Sequence, residues 1–204
     1  MTDTISVLQL LRLKGRTTVA ALSESLGIPE ESCETRIRPL IDEGRAIETN
    51  GRLRATPEGR DHLTQLLAEE RAVLDTSEVE TLYREFDYHN DELKSLMTRW
   101  QLKSEDTPND HSDADYDAAI IDDLTALHQR FTPLLARIVT VIPRLGHYPG
   151  RFDRAISRIG DGDHSWFAKP LADSYHTVWF ELHEDLIGAA GRTRADEAAA
   201  GRAL

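Results

Sequence analysis

Residues 46–56, AIETNGRLRAT, constrain the fold of this 204-residue chain more than any other stretch. Asn50-Gly51 between two alternating runs is the strongest short signal for a tight β-hairpin, because both residues tolerate the positive φ angles of a type I′ turn. Strand alternation sets Arg52 and Arg54 on one face and Leu53 on the other. Three short helical segments precede the hairpin, each with its own stop signal.

Ile5, Leu8 and Leu11, with Val7 beside them, recur at helical spacing, and Lys14-Gly15-Arg16 closes a first helix over about 4–13. Thr17 or Thr18 caps a second helix that turns Val19, Leu22 and Leu26 inward, and Gly27 ends it. Pro29 opens a third, where its missing N–H is harmless, and Cys33, Ile37 and Leu40 form the buried face. Pro39 is expected to bend or loosen the last turn before Gly44. Thr56 caps the following helix, with Pro57 at its first position. Three short helices followed by a two-stranded wing read as a winged helix-turn-helix, a module that usually docks on DNA.

At about 100° per residue, the face of the third helix opposite its buried set carries Glu31, Thr35, Arg38 and Asp42, with Ser32 and Arg36 at the margin. Ser32, Thr35, Arg36 and Arg38 are the candidates for base edges and phosphates in a major groove, and Arg52 and Arg54 for the adjacent minor groove. Glu30, Glu31 and Glu34 crowd the front of that helix. They disfavour nearby phosphate, and they also stabilise the helix N-terminus through its dipole. A winged helix used for protein contact is the alternative reading. The segments LSESLGI, CETRIRPLIDEGR and NGRLRATPEGR resemble helix two, the recognition helix and the wing of MarR-like bacterial winged-helix regulators, over about residues 1–70. That resemblance implies a homodimer on double-stranded DNA, with the long helices further on supplying the dimer seam.

Charge divides the chain. Lys plus Arg total 24 and Asp plus Glu 36, for a net charge of −12. Residues 1–60 hold nine basic and nine acidic side chains, so the rest carries the whole excess and repels phosphate. The one cysteine, Cys33, excludes a disulfide framework and a multi-thiolate metal site, and fits a reducing cytoplasm. MTDTISVLQLL has no basic n-region and reads as no signal peptide. No apolar run approaches the ~20 residues that span a membrane.

The whole is expected to be mainly α: a winged helix-turn-helix with a small β-hairpin wing (1–70), a helical connector and polar loop (71–112), and a C-terminal helical ligand-sensing or interaction domain (113–204). KSEDTPNDHSDAD at 103–115 marks the boundary. Beyond it come a long helix over 116–142, with a bend expected at Pro133, a shorter one over 151–159, a strong one over 171–189, and the tail EAAAGRAL.

The last strong helix, DSYHTVWFELHEDLI, sets His176 and His183 two turns apart on the edge of its buried face, with Trp179 and Phe180 between them. Such a set reads either as the floor of an effector pocket or as core histidines bonded to carbonyls or carboxylates. A metal would need more ligands; His111 and Asp113 in NDHSDADYD are the weak candidates to join His176 and His183, though Asp113 or Asp115 more simply caps the following helix. Arg137, Arg144, Arg151, Arg154 and Arg158 face only Asp153 in their own stretch. With His147, Tyr148 and Lys169 they read either as an anion site, Arg151 included, or as charge balance for acidic helices.

Enzyme readings fail on the absence of a glycine-rich phosphate loop, a G-x-S-x-G elbow and H-E-x-x-H, and no cofactor is expected. NDHSDADYDAA, PRLGHYPGRFDRAI and DSYHTVWFELHEDLI together resemble a helical tail module of actinobacterial type, carried behind winged helices in regulators and beside enzymes that use phosphoenolpyruvate. The leading expectation is a dimeric DNA-binding transcriptional regulator whose second domain senses a small acidic or aromatic effector. The alternatives are an accessory subunit regulating a phosphoenolpyruvate-utilising enzyme and, behind it, a metal-dependent enzyme.

Overall fold

The computed structural model describes residues 2–193. Its first half is built on local signals. Helix α1 (Thr2–Lys14) is followed by α2 (Val19–Leu26), where Thr18 is the N-cap and its Oγ1 accepts the Ala21 N–H at 3.1 Å. Pro29 serves as N-cap of α3 (Glu30–Asp42), one residue earlier than expected. The helix runs unbroken through Pro39, whose missing N–H leaves only the Thr35 carbonyl without its usual partner. Strands β1 (Ala46–Thr49) and β2 (Arg52–Ala55) pair antiparallel from Ala46–Ala55 to Thr49–Arg52. Asn50 and Gly51 close the hairpin at φ 52° and 70°, as a type I′ turn requires.

Thr56 then caps α4 (Pro57–Val73), accepting from Gly59 N–H at 3.0 Å and donating to the Gly44 carbonyl at 2.8 Å. A Cβ at Gly59 would lie 1.9 Å from the Arg45 carbonyl oxygen, so only glycine lets α4 start this close to the α3–β1 corner.

Two hydrophobic cores are present. The first gathers Ile5, Leu8, Leu11, Leu22, Cys33, Ile37, Leu40, Leu53 and Leu63. The second is a bundle of α5 (Thr76–Gln101), α6 (Ala114–Val141), α7 (Tyr148–Gly160) and α8 (Tyr175–Ala189). At its centre Trp179 of α8 lies against Phe131 of α6 and Phe86 of α5, with ring centroids 4.5 and 5.1 Å away.

Residues 71–112 were expected to form a connector, but α5 places Val79, Leu82, Phe86, Leu93 and Trp100 inside this second core. The break between the two cores therefore falls at Leu74-Asp75, and the apolar stripe expected at a dimer seam is covered by α6 and α8 of the same chain. The polar 103–115 segment folds partly into a small hairpin, β3 (Leu102–Ser104) with β4 (Thr107–Pro108), before Asp113 caps α6. Pro133 sits within α6 without ending it. Short 3₁₀ turns at Pro143–His147 and His164–Phe167 flank α7. The tail EAAAGRAL lies outside the described residues.

The two cores meet across α1. Residues 5–11 of that helix are all buried, so both its faces are covered, one by its own module and the other toward the Pro143–His147 turn. Around this contact runs a buried polar network. Asp185 accepts from Gln9 Nε2 at 2.8 Å, Arg144 Nη1 at 2.6 Å and the Tyr148 hydroxyl at 2.6 Å. Arg144 Nε also reaches Glu70 at 3.0 Å.

Asp173 accepts from Lys14 Nζ at 2.7 Å, Ser25 Oγ at 2.9 Å, and Arg151 Nε and Nη2 at 2.8 and 2.9 Å. Glu181 takes Arg151 Nη2 at 2.6 Å and Lys14 Nζ at 3.2 Å. Burial opposes ionisation of Asp173, but Arg151 and Lys14 outweigh it and hold the carboxyl well below the usual range. Removing one partner from such a buried set strands a charge and costs about 3–5 kcal/mol.

Candidate nucleic-acid interface and interdomain cavity

On α3, Thr35 and Arg38 are exposed and Ser32 and Arg36 half-buried, while Cys33, Ile37 and Leu40 point into the core. Burial pushes the Cys33 thiol up to about 11, so it remains a protonated core residue. Thr35 Oγ1 donates to the Glu31 carbonyl at 2.9 Å. Arg52 and Arg54 are exposed on one face of β2, and Ile47, opposite Arg54 in the register, adds a partly exposed apolar side chain.

Arg38, Arg52 and Arg54 have no ion-pair partner among the described residues. Elsewhere arginines find carboxylates: Arg45 with Glu43, Arg99 with Asp123, Arg137 with Glu85, Arg154 with Glu24. Glu31, Glu34, Asp42 and Glu48 are exposed around the same surface.

The residues expected to line an effector pocket do not share one. Trp179 is wholly buried and donates its indole N–H to Asn90 Oδ1 at 3.1 Å. His183 is buried with Nε2 3.1 Å from the Tyr83 hydroxyl. Arg151 is buried in the network with Asp173 and Glu181. Trp179 and His183 are core residues because α5, α6 and α7 cover the α8 face that carries them, and Arg151 is held on α7 by its buried carboxylate partners. His176 is half-buried, and burial lowers its pKa. Phe180, half-buried, lines a cavity.

That cavity, of about 510 Å³, lies between the N-terminal module and the bundle. Arg16, Thr18 and Arg52 come from one side, and Arg158, Trp166 and Phe180 from the other. The Arg158 guanidinium sits over the Trp166 ring, 5.3 Å from its centroid. Of the arginine run, Arg137, Arg144, Arg151 and Arg154 are all paired with carboxylates, and Arg158 is the member left for this cavity. Sequence reasoning missed Arg16 and Trp166 altogether.

The weak metal candidates are not brought together. His111 Nδ1 lies 2.9 Å from Asp117 Oδ2, Asp113 caps α6, and His176 and His183 are on α8. Among the described residues no group of three or more His, Cys, Asp or Glu is placed to hold a metal ion. A more open cleft of about 550 Å³ lies beside His111, between Trp100, His164 and Lys169. Asn109 and His111 bond to Asp117 there and, against the opposing effect of burial, keep its carboxyl below the usual range.

The family model for winged helix-turn-helix DNA-binding domains matches residues 4–45, which span α1 to α3 and end at the first wing strand. No curated protein and no solved structure matches the chain. The N-terminal part is thus a winged helix-turn-helix DNA-binding domain on a helical C-terminal region, and the match supports a DNA-binding regulator. No helix among the described residues is long and apolar enough to cross a membrane.

Proposed function

We propose that the protein is a transcriptional regulator of MarR-like design that binds double-stranded DNA as a homodimer and answers to a small effector held by its helical domain. The observation that carries the reading is the set of unpaired guanidinium groups. In a chain of net charge −12, Arg38, Arg52 and Arg54 stand exposed without a carboxylate partner among the described residues, on the two elements that a winged helix offers to DNA. In this reading Thr35, Arg36 and Arg38 meet the major groove, with Ser32 at the helix margin, while Arg52 and Arg54 enter the minor groove. One module makes few phosphate contacts, and a two-fold pair doubles them. With the apolar stripe of α5 covered inside the chain, the pairing surface lies elsewhere.

The test is binding of DNA from upstream of its own coding sequence, followed by fluorescence anisotropy across salt. Affinity is expected to fall by about 10³-fold or more between 50 and 200 mM salt if six or more phosphates are engaged. Replacing Arg52 and Arg54 by alanine weakens binding on all sequences, whereas Arg38→Ala also relaxes sequence preference. Absence of binding at low salt would sink the reading. Sedimentation at micromolar concentration tests the dimer, and a monomer alone counts against it.

A further inference from the structure

We propose that the cleft at the C-terminal end of α5 is a phosphoryl-acceptor site, in which Nε2 of His111 takes a phosphoryl group from a small acyl phosphate or phosphoramidate. The inference does not rest on the DNA-binding reading, and neither falls with the other.

The first argument is how much structure is spent on one imidazole. Asp117 is buried, and its two oxygens accept from Asn109 Nδ2 at 2.8 Å and His111 Nδ1 at 2.9 Å. Asn109 Nδ2 also donates to the Trp100 carbonyl at 3.1 Å, and Asn109 Oδ1 accepts the His111 backbone N–H at 3.1 Å. His111 itself stands in the left-handed region at φ 59°, a conformation that a non-glycine residue keeps only where its surroundings impose it. Its ring packs on Trp100 with centroids 4.5 Å apart, and Trp100 in turn stacks on Phe167 at 4.3 Å.

The second argument is the tautomer that this arrangement fixes. Burial opposes ionisation of Asp117, but the bonds from Asn109 and His111 keep it a carboxylate, and a carboxylate only accepts. Nδ1 therefore carries the ring proton. The lone pair lies on Nε2, which has no partner among the described residues. A carboxylate behind an imidazole raises its basicity and stabilises the imidazolium that forms when Nε2 reacts.

The cleft supplies the third argument. Its space of about 550 Å³ is also lined by His164, Ser165 and Lys169, and its one carboxylate is the already bonded Asp117. Lys169 is exposed and has no ion-pair partner among the described residues. The acids beside His111 in sequence, Asp110 and Asp113, lie 3.7 and 3.9 Å from Lys103 and do not line the cleft. A nucleophilic nitrogen beside an unmatched ammonium suits a tetrahedral dianion.

In the transfer, the Nε2 lone pair forms a bond to phosphorus as the donor's P–N or P–O bond breaks. Ammonia, from the H₃N⁺–PO₃²⁻ form, or a carboxylate leaves with the bonding electron pair. The Nδ1 proton stays between the ring and Asp117, whose charge meets the new imidazolium.

The experiment exposes the full chain to potassium phosphoramidate in mildly alkaline buffer. Labelling of each histidine is followed by mass spectrometry of peptides kept alkaline. His164 is the internal reference: it lines the same cleft and is exposed, but has no carboxylate hydrogen bond among the described residues. His111 should be labelled about tenfold or more faster than His164, with phosphorus NMR placing the group on Nε2. Lys169→Gln, at an exposed position, should slow this transfer about tenfold, the worth of one charged contact, and leave reaction of His111 with uncharged diethyl pyrocarbonate unchanged. Asp117→Asn should slow both reagents by about tenfold or more. Equal labelling of the two histidines, phosphoryl on Nδ1, or indifference to Lys169→Gln overturns the site. Those three readings do not depend on whether the Asp117 variant folds.

Discussion

Asp173→Asn is the most informative single change, because both halves of the chain converge on that carboxylate. Oδ1 accepts from Lys14 Nζ and Arg151 Nη2, and Oδ2 from Ser25 Oγ and Arg151 Nε. Asparagine keeps the shape but replaces one acceptor by an NH₂ group. Turned one way, the NH₂ group faces Lys14 Nζ and Arg151 Nη2; turned the other, it faces Arg151 Nε, while the Ser25 hydroxyl can keep its proton on the Ala21 carbonyl and accept. Lys14 and Arg151, with 13% and 0% of their side chains exposed, are left to share Glu181. Stranding buried charge in this way costs about 3–5 kcal/mol. For a chain of this size each kcal/mol moves the melting midpoint by about 2–4 °C, so a drop on the order of 10 °C is expected by calorimetry at pH 7.

The exposed Asp153→Asn is the control, expected to shift stability by about 0.5 kcal/mol or less. Acid gives an independent check. The folded-state pKa of Asp173 lies below its unfolded value, so its stabilisation is complete above about pH 4–5 and fades as pH falls toward the folded value. The gap between wild type and Asp173→Asn must therefore narrow on acidification. A midpoint within about 2 °C of wild type at pH 7, or a gap independent of pH, refutes the argument that this network fastens the two cores.

Three further outcomes follow. Burial, with the nearby Arg151 charge, lowers the His147 pKa from 6.5 to about 4, so folding excludes its proton. Stability should fall from about pH 6.5 toward 4 by up to about 3 kcal/mol from this group, and His147→Phe should flatten the urea midpoint over that window. Gly59→Ala places a methyl against the Arg45 carbonyl and should lower stability by about 2 kcal/mol or more, measured by urea unfolding. The Cys33 thiol should resist a disulfide reagent at pH 8 in the native protein and react at once in denaturant; fast native labelling would contradict its burial.

The sequence made the N-terminal module legible because its signals are local. Thr18, Gly27, Asn50-Gly51 and Thr56-Pro57 each act within a few residues, and the structure uses each of them as a cap or turn. Periodicity also places Trp179 and His183 on the inner side of α8. It cannot say whether that side meets a packed wall or a void, and here Phe86, Phe131 and Phe152 from three other helices fill the space. The interdomain cavity was illegible for the same reason: Arg16, Arg52, Arg158 and Trp166 come from separate elements. One signal was present and unused. Leu10 lies out of phase with Ile5, Leu8 and Leu11, and a helix apolar beyond one stripe is covered on more than one side.

That doubly covered helix bears on how such a protein can be taken apart. Detached winged modules used as interchangeable parts need a back at home in water, whereas α1 turns Gln9 and Lys14 to buried carboxylates of the bundle. Cutting the chain at Leu74-Asp75 would uncover the side of α1 that meets the Pro143–His147 turn and deprive Gln9 and Lys14 of Asp185, Asp173 and Glu181. A chimera carrying this reading head on a foreign body would require α1 to be resurfaced first. Heritable change in the head is likewise tied to its own bundle, so the two halves are expected to diverge together rather than to be shuffled.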